Sequence, residues 1–173
     1  MNRTKTIHPS ERGASLVELA IVAPAMMLLV FAAFSLCGQL RGSQHASSMS
    51  RELASMAYRD CLADAQAGQS DKFSPDSCLP TAVETFRAAN EFIKSDMAYV
   101  VTLYNYDTAT DTAKLTFQAA TPGQTSRVSL TSFAGTDPYG TALMASLRTL
   151  NRLIIAEVFY PEDGRIVYAA TII

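Results

Sequence analysis

Residues 19–40 read LAIVAPAMMLLVFAAFSLCGQL, 22 positions without an ionisable group apart from the Cys37 thiol. As an α-helix this run is about 33 Å long, against a hydrocarbon core of roughly 30 Å, so it can cross a bilayer once. Beyond it the apolar positions thin into a stripe. Ala46, Met49, Leu53, Met56, Ala57 and Cys61 recur at steps of three and four while Arg51, Glu52, Arg59 and Asp60 take other faces, which predicts an amphipathic stalk continuing to about Ala67. Membrane helix and stalk together would be roughly 80 Å long, with Gly42 and Ser43 placed to break them apart at the membrane surface. The stripe predicts a stalk covered by the subunit's own globular part.

The turn-rich stretch 68–80 (GQSDKFSPDSCLP) ends the stalk, and a second helix is expected over 81–94 with Val83, Phe86 and Ile93 on one side. Then the period changes. Residues 97–106 and 114–118 are rich in β-branched and aromatic side chains around a turn at 107–111, predicting a hairpin. Residues 121–124 read as a loop, 127–131 as a short strand, 132–140 as a loop and 139–150 as a short helix. A second hairpin joins 152–160 to 165–172 through Pro161-Glu162-Asp163-Gly164, a type I turn followed by a left-handed residue. The fold class expected is α+β: a long N-terminal hydrophobic helix followed by a small antiparallel sheet with one or two short helices, the sheet covering the stalk.

Composition changes this picture little. Charged residues are 17 % of the 173, below the roughly 25 % of an ordinary soluble domain, and apolar residues 49 %, which excludes a disordered chain. A net charge of -2 gives no electrostatic reason to expect nucleic acid as a partner. Cys61 and Cys78, 17 positions apart and both beyond the apolar run, read as a disulfide that staples the loop to the stalk. Such a closure stabilises by about 3 kcal/mol on the chain-entropy estimate. Cys37, inside the apolar run, behaves as a small hydrophobe.

The flanks of the run are asymmetric. Arg3, Lys5 and Arg12 precede it with only Glu11 to oppose them, placing the N-terminus in the cytoplasm and exporting the rest. A cleaved secretory signal would have a shorter apolar core, normally of about 7–15 residues, and end at a small-x-small site. Glu18 is the residue that a simple anchor does not need. A carboxylate at the edge of an apolar run is costly to bury and is expected to have a partner, or to mark the helix start.

The string RGASLVELAIVAP resembles the signal shared by type IV pilins and pseudopilins, and most closely the TadE-like minor pilins of the tight-adherence (Tad/Flp) system. The resemblance rests on a short basic leader ending in Arg12-Gly13, small residues Ala14 and Ser15, then Leu16, Val17 and Glu18, then the apolar helix with Pro24 inside it. It implies that a prepilin peptidase, a membrane-embedded aspartic protease, cuts between Gly13 and Ala14, leaving Glu18 as the fifth residue of the mature protein. Leu19 stands where the major Flp pilins have Tyr, which together with the chain's length favours a minor subunit. The implied organisation is a cytoplasmic leader at 1–13, a transmembrane helix at 14–40, a stalk at 41–67 and an exported α+β domain at 68–173.

The motif has a physical logic. The cut creates an ammonium group on Ala14 at the end of an apolar helix, where an unpaired charge costs several kcal/mol. Glu18 of an adjacent subunit can neutralise it, which fixes the axial stagger of packed helices. Ala14, Ser15, Ala20, Ala23 and Ala25 allow close approach, and Pro24 should kink the helix. Removing the leader takes away three basic residues and one acidic, moving the net charge from -2 to -4.

The resemblance implies as partners the prepilin peptidase, other pilins of the same system, an inner-membrane assembly platform and the lipid bilayer, with no cofactor. It places the protein in a bacterial inner membrane, single-pass, with its C-terminal domain periplasmic until assembly into an adhesive pilus. Catalysis is not expected. His8 lies in the leader, His45 sits on the stalk among polar neighbours, no glycine-rich phosphate loop or G-x-S-x-G turn occurs, and Asp107 and Asp111 lack a full calcium ligand string. The alternative is a single-pass or signal-peptide-bearing periplasmic binding or structural protein unrelated to pili.

Overall fold

A computed structural model describes residues 9–61, 75–92, 96–162 and 164–173, with side chains from Glu18 in the first helix and from Cys78 in the second. The elements in chain order are α1 (Pro9–Cys61), α2 (Pro75–Asn90), β1 (Ala98–Asp107), β2 (Thr112–Ala120), α3 (Leu130–Ala134), α4 (Pro138–Leu150), β3 (Arg152–Glu162) and β4 (Arg165–Ile172). The chain divides into two compact units, Met1–Arg41 and Gly42–Ile173.

In the first unit the described chain is helical, and its large apolar side chains are exposed, among them Leu28, Phe31 and Phe34 at 70–72 %. The second unit is built on a four-stranded antiparallel sheet in the order β2-β1-β3-β4. Residues 42–61 of α1 and helix α2 cover one face of it. Met49, Leu53, Ala57 and Cys61 of α1 and Leu79, Val83 and Phe86 of α2 pack with Tyr99, Val101 and Leu103 of β1 and Ile154, Ala156 and Val158 of β3. The period-two alternation of the strands sends Tyr104, Leu153 and Ile155 to the opposite face, where Phe133 of α3 and Leu143 and Leu147 of α4 cover them. Each side chain of this size removed from water contributes about 1.5–3 kcal/mol. The stalk stripe is thus buried beneath the chain's own sheet, and the sheet is sandwiched between helical layers: an α+β fold.

Three local expectations are corrected. The second helix starts at Pro75, not at 81, and takes Pro80 into its interior. Pro in the first turn and Asp beside it are helix starters, whereas a count of turn residues reads them as breakers. Residues 127–131 form no strand: α3 begins at Leu130, with Ser132 Oγ accepting from the Ser129 N–H at 3.2 Å. The Val128 carbonyl already accepts from the Tyr104 hydroxyl at 2.7 Å, so a side chain supplies what a strand partner would have supplied. Residues 132–140, expected as a loop, are helical at both ends. Helix α1 also runs through Gly42 and Ser43 without the expected break. The last part of the expected stalk, 62–67, lies outside the described residues.

Other boundaries follow the expected chemistry. Helix α4 is capped by Asp137, whose carboxylate accepts from the Gly140 N–H at 3.2 Å, has Pro138 in its first turn, and ends at Asn151 in the left-handed region (φ 60°). The β3–β4 turn closes through Gly164 at φ 74°, a conformation with little steric cost only for glycine. Cys61, the last residue of α1, is disulfide-bonded to Cys78 in α2.

Candidate membrane-anchoring and assembly surface

The side chains that the sequence singles out lie on α1. Gly13 and Ala14 are in its helical backbone, and Glu18 follows Ala14 by four residues, one turn further on. Glu18 is exposed at the head of an apolar run in which Leu19, Ile21, Val22, Met26, Met27 and Leu29 are also exposed. Pro24 stands within the helix, where it withholds one backbone N–H. Cys37 is an exposed free thiol on the same run. A helix this apolar, with none of its most hydrophobic window buried in the protein, has the length and composition to cross a membrane. The chain therefore has the form of a single-pass, membrane-anchored protein.

Residues 13–55 match the model of the TadE-like protein family. This segment is TadE-like. The TadE-like match begins at Gly13, spans the whole apolar run and ends inside the buried stripe of the stalk. Neither a curated protein nor a solved structure matches the chain.

Away from the TadE-like segment, the sheet holds a polar cluster that the sequence reading missed. Glu157, in the middle of β3, is fully buried. One carboxylate oxygen, Oε1, accepts from the Arg127 N–H at 2.9 Å and the Tyr168 hydroxyl at 2.7 Å; the other accepts a short bond from the Ser126 hydroxyl. Arg127 lays its guanidinium over the rings of Phe159 and Tyr168, 5.4 and 4.7 Å from their centroids. The carboxylate thereby ties the segment after β2 to β3 and β4, satisfying main-chain and hydroxyl donors in a buried place. The signal available in the sequence was a single Glu inside the apolar string LIIAEVFYP.

The buried tyrosines of the sheet make the unit sensitive to alkali. Burial pushes the Tyr104 hydroxyl up to about 12, with Glu157 adding to the effect, and burial alone pushes Tyr99 up to about 12. Tyr168 is also raised, by burial first and then by its bond to the Glu157 carboxylate. The fold favours the neutral phenols, so their stabilisation is complete below the unfolded value near 10 and is lost as the pH rises from 10 through 12. A denaturant titration repeated across that range should show falling stability, tracked by tyrosinate absorbance appearing together with unfolding.

The remaining candidates have local partners. Asp111 receives two bonds from Arg148, at 2.9 and 2.7 Å, and one from the Tyr106 hydroxyl at 2.7 Å, which hold its carboxyl below the usual range. Asp107 accepts from the Ala109 N–H at 2.9 Å. His45 is exposed and stacked on Tyr160 with ring centroids 6.4 Å apart. Among the described residues no three His, Cys, Asp or Glu side chains come together as a metal site.

Proposed function

We propose that the chain is a minor pilin or pseudopilin of a Tad (Flp) pilus. In this reading a prepilin peptidase removes residues 1–13, the mature protein waits in the inner membrane with its sheet unit in the periplasm, and it then joins other pilins through the assembly platform. The observation that carries the reading is the TadE-like match beginning at Gly13, the residue after which the cut is expected, and continuing through an exposed apolar helix. In a bundle of such helices the new amine of Ala14 meets Glu18 of the next copy, so each added subunit is locked at one axial position. The sheet unit stays outside the bundle, stabilised by its own cores and disulfide, free to present a surface beyond the membrane. The polar cluster around Glu157 serves the fold, and no step of assembly requires chemistry from it.

Intact-mass measurement and N-terminal sequencing of the protein, isolated from cells with and without a prepilin peptidase, test the reading. A mature start at Ala14 only when the peptidase is present supports it. A start at Met1 in both strains, or at a residue beyond Phe34, overturns it in favour of an anchored or secreted protein unrelated to pili.

A further inference from the structure

The β3–β4 hairpin has a direction along α1. Within the second unit, Glu162 at the tip packs its carboxylate against Gly42, so closely that a Cβ at residue 42 would overlap it. Tyr160 stacks on His45, and Thr171, well up β4, shares a hydrogen bond of 2.7 Å with Ser50. The tip therefore meets the earliest residues of this part of α1, and the strands run from there toward Cys61. Gly42 is only two residues past Leu40, the last of the apolar run, an advance of about 3 Å along a helix. If residues 19–40 span a bilayer, Gly42 emerges at its surface, and whatever packs on Gly42 emerges there too.

The composition of the tip suits that place. Ile166 is 61 % exposed on β4, with Tyr160 and Pro161 partly exposed on the other side of the turn. Arg165 is the exposed charge among the tip's described residues. Glu162 turns one oxygen inward against α1, where that atom has no hydrogen-bond partner among the described residues. An amphipathic ring, a bulky aliphatic side chain and an arginine at one level are what the headgroup zone accommodates: the ring and aliphatic group enter the apolar edge while the guanidinium reaches phosphate. In water the same Ile166 gains nothing from its exposure. The opposite end of the sheet differs in kind, since the β1–β2 turn carries exposed Thr108, Ala109 and Thr110.

We infer that the tip of the β3–β4 hairpin, through Tyr160, Arg165 and Ile166, is a lipid-contact element that seats the sheet unit on the headgroup layer of the bilayer its own helix crosses. The inference rests on the bilayer-spanning reading of residues 19–40 and adds a second, peripheral foothold. The partner is the phospholipid surface itself. The foothold restrains the tilt of the sheet unit, and it is released whenever the subunit leaves the membrane.

The test uses the full chain in a Cys37→Ser background, with an environment-sensitive fluorophore attached to a single new cysteine at Val30, Ile166 or Ala109. Each labelled protein is reconstituted at about one copy per phosphatidylcholine vesicle, with or without lipids brominated on their acyl chains. The expected result is strong quenching at position 30, quenching of at least about twofold at 166 by bromines near the headgroup, and none at 109. Quenching at 30 with a water-like, unquenched label at 166 overturns the hairpin foothold and leaves the membrane span intact. An absence of quenching at 30 removes both. A blue-shifted label at 166 that ignores brominated lipid, or that reverts on dilution of the copies, shows a protein neighbour at the tip and overturns the inference as well.

Discussion

Glu18→Ala is expected to leave removal of residues 1–13 intact while cutting the amount of this subunit in sheared filaments by about a hundredfold. An ammonium group held among apolar helices without a counter-charge costs several kcal/mol, and about 3 kcal/mol corresponds to roughly two decades in an assembly equilibrium. Glu18→Gln should behave like Glu18→Ala, since it retains shape and hydrogen bonding but not charge. Glu18→Asp should be intermediate, because the carboxylate survives one methylene short of its reach. The exposure of Glu18 in the isolated chain fits this account, since its partner would come from another copy. Quantitative immunoblots of filament and membrane fractions, with intact mass to verify the Ala14 start, provide the measurement. Wild-type levels of Glu18→Ala in filaments would show that the charge pair does not set the stagger.

The second large effect is expected at the centre of the sheet. Glu157→Leu fills a similar volume but strands two donors, the Arg127 N–H and the Tyr168 hydroxyl, while the Ser126 hydroxyl can turn to the Val128 carbonyl. Each buried donor left without an acceptor costs about 1–3 kcal/mol, offset in part by the gain of burying leucine. A net loss of about 2–3 kcal/mol is expected, which for a unit of this size lowers Tm by about 10 °C. Near-UV circular dichroism in the tyrosine band follows the melting of the tyrosine-rich sheet, since residues 19–40 contain no tyrosine. Tyr168→Phe removes one donor and leaves the carboxylate with two, so its loss should be near 1 kcal/mol. A Glu157→Leu protein as stable as wild type would mean that the segment around Ser126 is held by Phe133 and Val128 packing alone.

Where the sequence was legible, one physical signal dominated its neighbours. Residues 19–40 contain no competing charge, and the β-branched and aromatic residues of AYVVTLYNYD and RLIIAEVFYPE, each set beside a turn, favour strands, so the anchor and both hairpins could be read directly. Cys61 and Cys78 were legible as a pair beyond the apolar run, but Cys78, read as part of a loop, lies within α2, so the bridge joins two helices. Residues 127–131 were not: Val128 and Thr131 favour a strand locally, but hydroxyls from Ser126, Ser132 and distant Tyr104 supply the hydrogen bonds, and sequence spacing does not reveal a partner 24 residues away. The Glu157 cluster was hidden for the same reason, its donors lying 11 to 31 residues off. The roles proposed for Gly13, Ala14 and Glu18 rest on a motif, because the chemistry proposed for them involves a protease and a second copy.

The covalent link between Cys61 and Cys78 sits at the far end of α1 from the apolar run. Traction applied through that run enters the sheet unit at Gly42 and must slide the whole buried stripe, from Ala46 to Cys61, past the strands together. Loading of this kind resists in parallel, as a lap joint does, whereas pulling from the Cys61 end would peel the contacts apart in turn. The sulfur bridge closes the end at which peeling would begin, so the buried stripe has no free end from which to unzip.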